Sequence, residues 1–436
     1  MSVGLYRSYA VLLIGALVPI WSGAHASLAI PAADRKRLRE LRKAGKKPGV
    51  EQEVDSDDEE EEETTERLTR EDALWFPIVG SCVLLGLFLL FRFLDKRLLN
   101  RILGAYLAVL AVAGLTRTLT KVARGAVGPK RYSKSSKWRL LLTRDKSEWL
   151  KVTLTSFGLG AFMLALGLAT AQIYTGHWVL VNIVALSFAY NAISLIALDS
   201  FITGSILLAG LFVYDVWWVF GSKHVFGDNV MVEVATSFDG PIKIVFPRNL
   251  AAGKDFTLLG LGDIVLPGVF LALALRFDYH RARSAQDAPL KPSARFAKPY
   301  FTACFAAYVL GLCTTMTAMH FFRAAQPALL YLSPACILAV AVTASMRGES
   351  KELWRYVEEE DGSSGEKDKK EEGGAKEHEH ATVAKDGAAV GAVRDALQSG
   401  SSAASSASDP SGSSTHLPEV TPRLRRRAQA QELDAR

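Results

Sequence analysis

Long apolar runs set the terms for this chain. Apolar residues make up 49% of the sequence, and they are gathered into runs of about 20 residues separated by short polar stretches. A run of that length is roughly 30 Å long as a helix, which matches the hydrocarbon core of a bilayer. The runs fall at residues 9–28, 74–94, 98–118, 153–173, 177–197, 201–221, 257–276, 299–320 and 326–346. They predict an all-α polytopic membrane protein with nine transmembrane helices.

The rest of the chain is polar and low in aromatics. Residues 1–32 are read as the first transmembrane helix, with the features of a signal anchor. Residues 33–72 hold a basic cluster and then the acidic run from Glu51 to Glu66, and residues 348–436 are rich in Ser, Gly, Ala, Glu and Lys. Both segments are expected to be disordered and cytosolic, since neither can bury a core. That leaves 73–347 as the functional domain and no room for a large soluble one. The net charge of +6 does not indicate nucleic-acid binding, because the basic residues flank apolar runs. Cys82, Cys304, Cys313 and Cys336 all fall inside runs and form no CxxC pair, and no Asn-x-Ser/Thr sequon is present.

Charge asymmetry orients the bundle. Arg7, an apolar stretch and Ala24-His25-Ala26 fit a cleaved signal peptide. Arg35, Lys36, Arg37, Arg39, Arg42, Lys43, Lys46 and Lys47 follow, and such a segment belongs in the cytosol. A retained first run then puts the N-terminus outside and the C-terminal tail inside. It also puts the basic loops 119–152 and 277–298 inside. Lys96, Arg97 and Arg101 are the exception, in a short loop placed outside.

Two carboxylates sit within runs. A charged side chain in mid-span costs about 2.5–3.5 kcal/mol on insertion scales, so each needs a reason to be there. Asp215 lies in FVYDVWWVFG and Asp263 in LLGLGDIVLPG, on runs of opposite direction. Asp215 is six residues before the expected outer end near Gly221, and Asp263 is six residues after the expected start near Thr257. Both are then roughly 9 Å below the outer face and able to meet. Two adjacent carboxyls share one proton, which suits one to activate water and the other to donate to a peptide carbonyl. Tyr214, beside Asp215, is placed to hydrogen-bond near the site. Gly260 and Gly262 flank Leu261 and let another backbone come close. Gln326-Pro327-Ala328-Leu329 opens the last run, with Pro327 suited to a helix start. On these residues alone, the same carboxylates also fit a proton relay in a transporter, or partners for a membrane Arg.

Taken together, Tyr214-Asp215, Gly260-Leu261-Gly262-Asp263 and Pro327-Ala328-Leu329 resemble the GxGD intramembrane aspartyl proteases, and most closely signal peptide peptidase. The similarity runs from about residue 72 to 347. It includes FPIVGSCVLLGLFLLF, ITGSILLAGLFVYDVWWVFG, NVMVEVATSFDGPIKIVFP, LLGLGDIVLPGVFLALALRFD and AAQPALLYLSP. The resemblance implies nine spans around a water-accessible intramembrane active site, with Asp215 and Asp263 as the catalytic pair. It implies that Tyr214, Gly260, Leu261, Gly262, Gln326, Pro327, Ala328 and Leu329 support that pair. It implies type II transmembrane substrates, including signal-peptide remnants, and residence in the endoplasmic reticulum membrane. No metal or other cofactor is expected, nor a nucleic-acid partner, and a homo-oligomer is compatible. Presenilin shares the motifs but has the opposite orientation and a long cleaved segment between its catalytic spans. Here residues 222–256 are short, which implies an enzyme active alone.

Two features leave the branch open. Ser222-Lys223-His224-Val225-Phe226-Gly227-Asp228 is longer than the usual signal peptide peptidase turn and is similar to a signal-peptide-peptidase-like branch that sheds type II membrane proteins. The tail ends in Gln-Glu-Leu-Asp-Ala-Arg rather than a dilysine signal. A non-proteolytic scaffold or transporter is the reading from another class. Residues 230–234 (VMVEV) and 242–246 (IKIVF) are read as short strands that could pair with an unwound substrate, or as a plain interfacial loop. The tail residues His378-Glu379-His380 read as solvated. Arg423, Arg425, Arg426 and Arg427 could touch anionic lipid. Neither His-Glu-x-x-His nor Gly-x-Ser-Gly is present in a run.

Overall fold

The computed structural model describes residues 3–29, 66–128, 132, 137–144, 147–227, 230–238, 240–247, 256–285, 294–322 and 326–358. The readings made for 33–65 and for the tail beyond 358, including its histidine pair and arginines, lie outside these residues. The elements are α1 (Val3–Ala26), β1 (Glu66–Leu68), α2 (Arg70–Phe93), α3 (Lys96–Val127), β2 (Lys137–Arg144), β3 (Ser147–Thr155), α4 (Ser156–Thr175), α5 (Trp178–Leu195) and β4 (Ile196–Leu198). There follow α6 (Phe201–Val216), a π-helical turn (Trp217–Gly221), α7 (Ser222–Phe226), α8 (Val230–Ser237), β5 (Lys243–Pro247) and β6 (Phe256–Gly260). The chain then forms α9 (Gly262–Ser284), α10 (Pro299–Phe322), α11 (Leu329–Arg347) and α12 (Ser350–Arg355).

The architecture is that of an all-α polytopic membrane protein. Among the described residues, eight helical stretches are long and apolar enough to cross a bilayer. They correspond to eight of the nine apolar runs. The remaining run became α9, which carries Asp263, Arg276 and Asp278 and so falls short on composition. Its surroundings explain why it tolerates them. Val269 through Leu275 and Phe277 are 0–2% exposed, so the middle of α9 is walled in by protein on all sides. A helix in that position meets no lipid and can keep charge where partners exist. α1, α5, α6, α10 and α11 all pack against it. Lipid tails give apolar side chains no incentive to leave them, so such a bundle is held by close packing and internal polar contacts. Gly204 illustrates this, since a Cβ there would lie 2.7 Å from the Phe270 ring and force α6 away from α9.

α1 is part of this bundle. Leu12, Ala16, Ile20 and Ala24, spaced by four, make one buried stripe against α5 and α9.

Several boundaries differ from expectation. The apolar run at 257–276 begins as a strand: β6 pairs antiparallel with β5, Lys243 opposite Gly260 and Pro247 opposite Phe256. At the other aspartate-bearing run, helix does not stop at Gly221 but passes through the π-turn to Phe226 and closes at Gly227, whose φ of 80° suits a residue without Cβ. Asp263 is therefore the second residue of its helix, while Asp215 lies well inside a helical stretch. The equal count from helix ends does not hold. Residues 230–234 form helix rather than strand, because Val230, Val234 and Phe238 make a buried face against α2. In the loop expected at 119–152, α3 runs on to Val127 and β2 pairs with β3. Residues 66–72 and 348–358, expected in the flanking segments, carry structure: β1 pairs parallel with β4, and Val357 bridges Ser200.

Candidate active site

The site forms where α6, α9 and α11 meet. Asp215 is 2% exposed and stands one residue before the end of α6. The π-turn begins two residues later, and such turns widen a helix locally and often mark functional positions. The Asp215 Oδ2 accepts a hydrogen bond from the backbone N–H of Leu329 at 3.1 Å.

That bond follows from how α11 begins. The first amides of a helix have no partner within it and carry the positive end of the helix dipole. Such amides are often satisfied by a Ser, Thr, Asp or Asn side chain at the N-cap. Here the N-cap is Ala328, which has no such atom, and the residue before it is Pro327, which has no N–H. The first amide within the helix is that of Leu329, and a carboxylate from another helix caps it. Pro327 sits two residues ahead of the first helical residue. Pro327, Ala328 and Leu329 are all buried, and Gln326 is half-buried beside them.

Asp263 arrives from the opposite side. Leu261 donates its N–H to the Ile242 carbonyl at 3.0 Å, and its own carbonyl accepts from Val265 at 2.8 Å and Ile264 at 3.1 Å. The β5–β6 pair and the first turn of α9 are thus joined through Leu261. Asp263 is half-buried, and its carboxylate lies close enough to Asp215 for their charges to interact.

Gly260 and Gly262 have ordinary backbone conformations, since neither is among the positive-φ glycines. A Cβ at Gly260 would meet Asp263 Oδ2 at 3.5 Å, an ordinary contact, and one at Gly262 would meet only Leu266 at 4.0 Å. Neither glycine is demanded by the chain's own packing. Tyr214 turns toward α2: its ring lies 6.4 Å from that of Trp218, and a Cβ on Gly80 would be 3.7 Å from it. Trp218 in turn donates its Nε1–H to Ser81 Oγ at 3.1 Å, which ties the π-turn to α2.

Two site contacts had no sequence signal strong enough to single them out. Tyr308 of α10 donates its hydroxyl to the Asp263 backbone carbonyl at 3.3 Å. Asn182 of α5 donates Nδ2–H to the Val245 carbonyl and accepts from the Val245 amide, both at 2.8 Å. A Tyr or Asn within an apolar run is common, and only the folded arrangement sets these two apart.

Comparison with known proteins agrees with the motifs. A family profile described as "Signal peptide peptidase" matches residues 60–360. The chain is similar to signal peptide peptidase of Mus musculus, 36% identical over 81% of this chain and 84% of that protein. It is similar to that of Homo sapiens at 36% identity, again over 81% and 84%. Among solved structures, that of a presenilin family intramembrane aspartate protease aligns with a TM-score of 0.40 and 14% identity, over 77% of this chain and 99% of that one. The chain belongs to the signal peptide peptidase family of intramembrane aspartyl proteases and is a membrane-embedded peptide hydrolase.

Proposed function

We propose that Asp215 and Asp263 are the catalytic pair and that the bond they break lies within a type II transmembrane segment, signal-peptide remnants included. The observation that carries this is the packing of α6 against α9, which brings the two aspartates within reach of each other's charge, with the Leu329 amide fixed on Asp215. Two carboxyls so placed share a proton. The ionised member takes a proton from water as the water oxygen attacks the peptide carbonyl. The protonated member donates to the carbonyl oxygen, and the leaving nitrogen is protonated as the C–N bond breaks. The pair titrates as a unit, so neither residue is assigned as sole base or acid.

α9 serves as the ninth span in this reading, with the N-terminus lumenal, the C-terminus cytosolic and the protein in the endoplasmic reticulum membrane. The buried stripe on α1 supports a retained first helix. Water reaches the pair through a cavity between α6, α9 and α11. A transmembrane helix resists hydrolysis because its carbonyls are internally bonded and lipid offers them no other partner, so the substrate must unwind. Strand addition to the β5–β6 pair would hold it. Asn182 occupies the outer edge of β5 at Val245, which leaves the outer edge of β6 for a guest strand, and β6 runs straight into Gly260-Leu261-Gly262-Asp263. The two glycines, not required by internal packing, then give the substrate backbone room at the carboxyls. A second reading, shedding of longer type II proteins, is favoured by the helical extension Ser222–Phe226 beyond the π-turn.

The test uses purified full-length protein and a signal-peptide substrate. Asp215→Asn and Asp263→Ala should each abolish cleavage. Cleavage equal to wild type in either would refute the pair. A type II substrate with an intact ectodomain, cut as fast as the signal peptide, would favour shedding.

A further inference from the structure

Asp263 stands four residues before Pro267 within α9. In an α-helix the carbonyl of one residue accepts the amide hydrogen four residues on. Proline has no amide hydrogen, so the carbonyl deprived by Pro267 is that of Asp263 itself. A backbone carbonyl without a partner inside a membrane bundle is costly, and the turn that carries it is poorly fixed. The donor comes from another helix: the Tyr308 hydroxyl, at 3.3 Å. Tyr308 is fully buried in α10. One turn further along α10, a Cβ on Gly311 would lie 3.2 Å from Leu332 of α11, so the two helices are in close contact beside the site.

We propose that Tyr308 is a positioning residue for the aspartate pair, its hydroxyl standing in for the amide hydrogen that Pro267 lacks and so fixing the backbone that carries the Asp263 carboxyl. The consequence reaches both aspartates. Asp215 is held by the first amide of α11 and Asp263 by α10, and α10 and α11 pack along their length. The α10–α11 pair thus acts as a common jig that sets the spacing of the two carboxyls. This rests on the reading of Asp263 as half of the catalytic pair.

A double-substitution cycle in the full-length protein tests it. Tyr308→Phe removes only the donor and should lower kcat about tenfold with KM held, the cost of one buried carbonyl left unpaired. Pro267→Ala restores an amide hydrogen at the fourth residue, so Tyr308→Phe added to Pro267→Ala should lower kcat no further. An equal fall in both backgrounds, or none in either, would overturn the proposal. Should Pro267→Ala not fold, Tyr308→Phe alone decides. A shifted pH profile of kcat supports positioning, while an unmoved profile, with the loss carried by KM or thermal stability, overturns it. Asp215→Asn and Asp263→Ala are run alongside. If those retain activity the pair itself is misassigned, and if they are inactive while Tyr308→Phe matches wild type, only the positioning role fails.

Discussion

At the scale of single residues, the least expected contact is the one between Asp215 and Leu329. The Pro-Ala-Leu motif could be located from sequence, but its work could not, because that work is done by a backbone N–H. Leu329→Pro tests it directly. Proline at this first helical position lacks the donor to Asp215; because Ala328 has αR dihedrals, which a following proline disfavours, thermal stability is measured beside kcat to show that the variant is folded. A hydrogen bond to a charged group is worth about 1.5–3 kcal/mol, so kcat should fall roughly 10- to 100-fold. Leu329→Ala, which keeps the amide, is the control for the lost side chain, and equal kcat in the two variants would remove the amide from the account. Gly260→Ala makes a second test. The added methyl meets only an ordinary contact, so thermal stability should stay near wild type while kcat/KM falls at least tenfold, as expected if a substrate backbone passes there. Unchanged turnover would assign that glycine no part in access.

At the scale of elements, legibility followed periodicity. Runs of about 20 apolar residues have one solution in lipid, and eight of the nine became long apolar helices. Short segments were harder. Val230, Val232 and Val234 alternate like a strand, but a spacing of four, Val230 to Val234 to Phe238, belongs to both the two-residue and the 3.6-residue period. The structure uses the helical one. The stretch from Phe256 to Gly260 was misread in the other direction, since an apolar strand leading into an apolar helix looks like one longer helix. This is why Asp263 appeared deeper in its helix than it is. Asn182 tethers one edge of this strand pair. Its two hydrogen bonds to Val245 are worth about 0.5–1.5 kcal/mol each. Asn182→Ala should therefore lower the midpoint of thermal inactivation and reduce kcat/KM. An unchanged midpoint would show that β5 needs no such tether.

At the scale of the whole molecule, the segment after α11 straps the bundle end that lies opposite the aspartates. Glu349 receives the Tyr300 hydroxyl at 2.6 Å and the Arg281 Nη2 at 2.5 Å. Arg276 of α9, 6% exposed, faces the Glu358 carboxylate at 3.4 Å. Tyr356 packs on Phe277 at 5.1 Å and on Phe201 at 6.2 Å, touching α9 and α6 at once. Ending the chain after Glu358 should leave stability near wild type. Ending it after Arg347 strands the Arg276 charge and should cost roughly 3 kcal/mol, read as a lower inactivation temperature; equal temperatures for the two truncations would deny the strap a role. The strap also carries a pH signature. Burial opposes the Glu349 charge, but the Tyr300 hydroxyl, with Arg347 and Arg281, outweighs it and holds the carboxyl below its usual value. A depressed carboxylate stabilises the fold above its ordinary value and loses that contribution as pH falls through the depressed one. Wild type should lose thermal stability below about pH 4.5, whereas Glu349→Gln should begin lower and respond less. These contacts join residues far apart in sequence, so no local pattern announced them.

The bond from Leu329 to Asp215 has one more consequence. If Asp215 exchanges protons during turnover, its grip on the first amide of α11 tightens when it is ionised and slackens when it is neutral. One carboxylate is then both reagent and hinge pin. Each proton that passes through the site would register as a small mechanical event at the start of the last helix, in step with the making and breaking of the peptide bond.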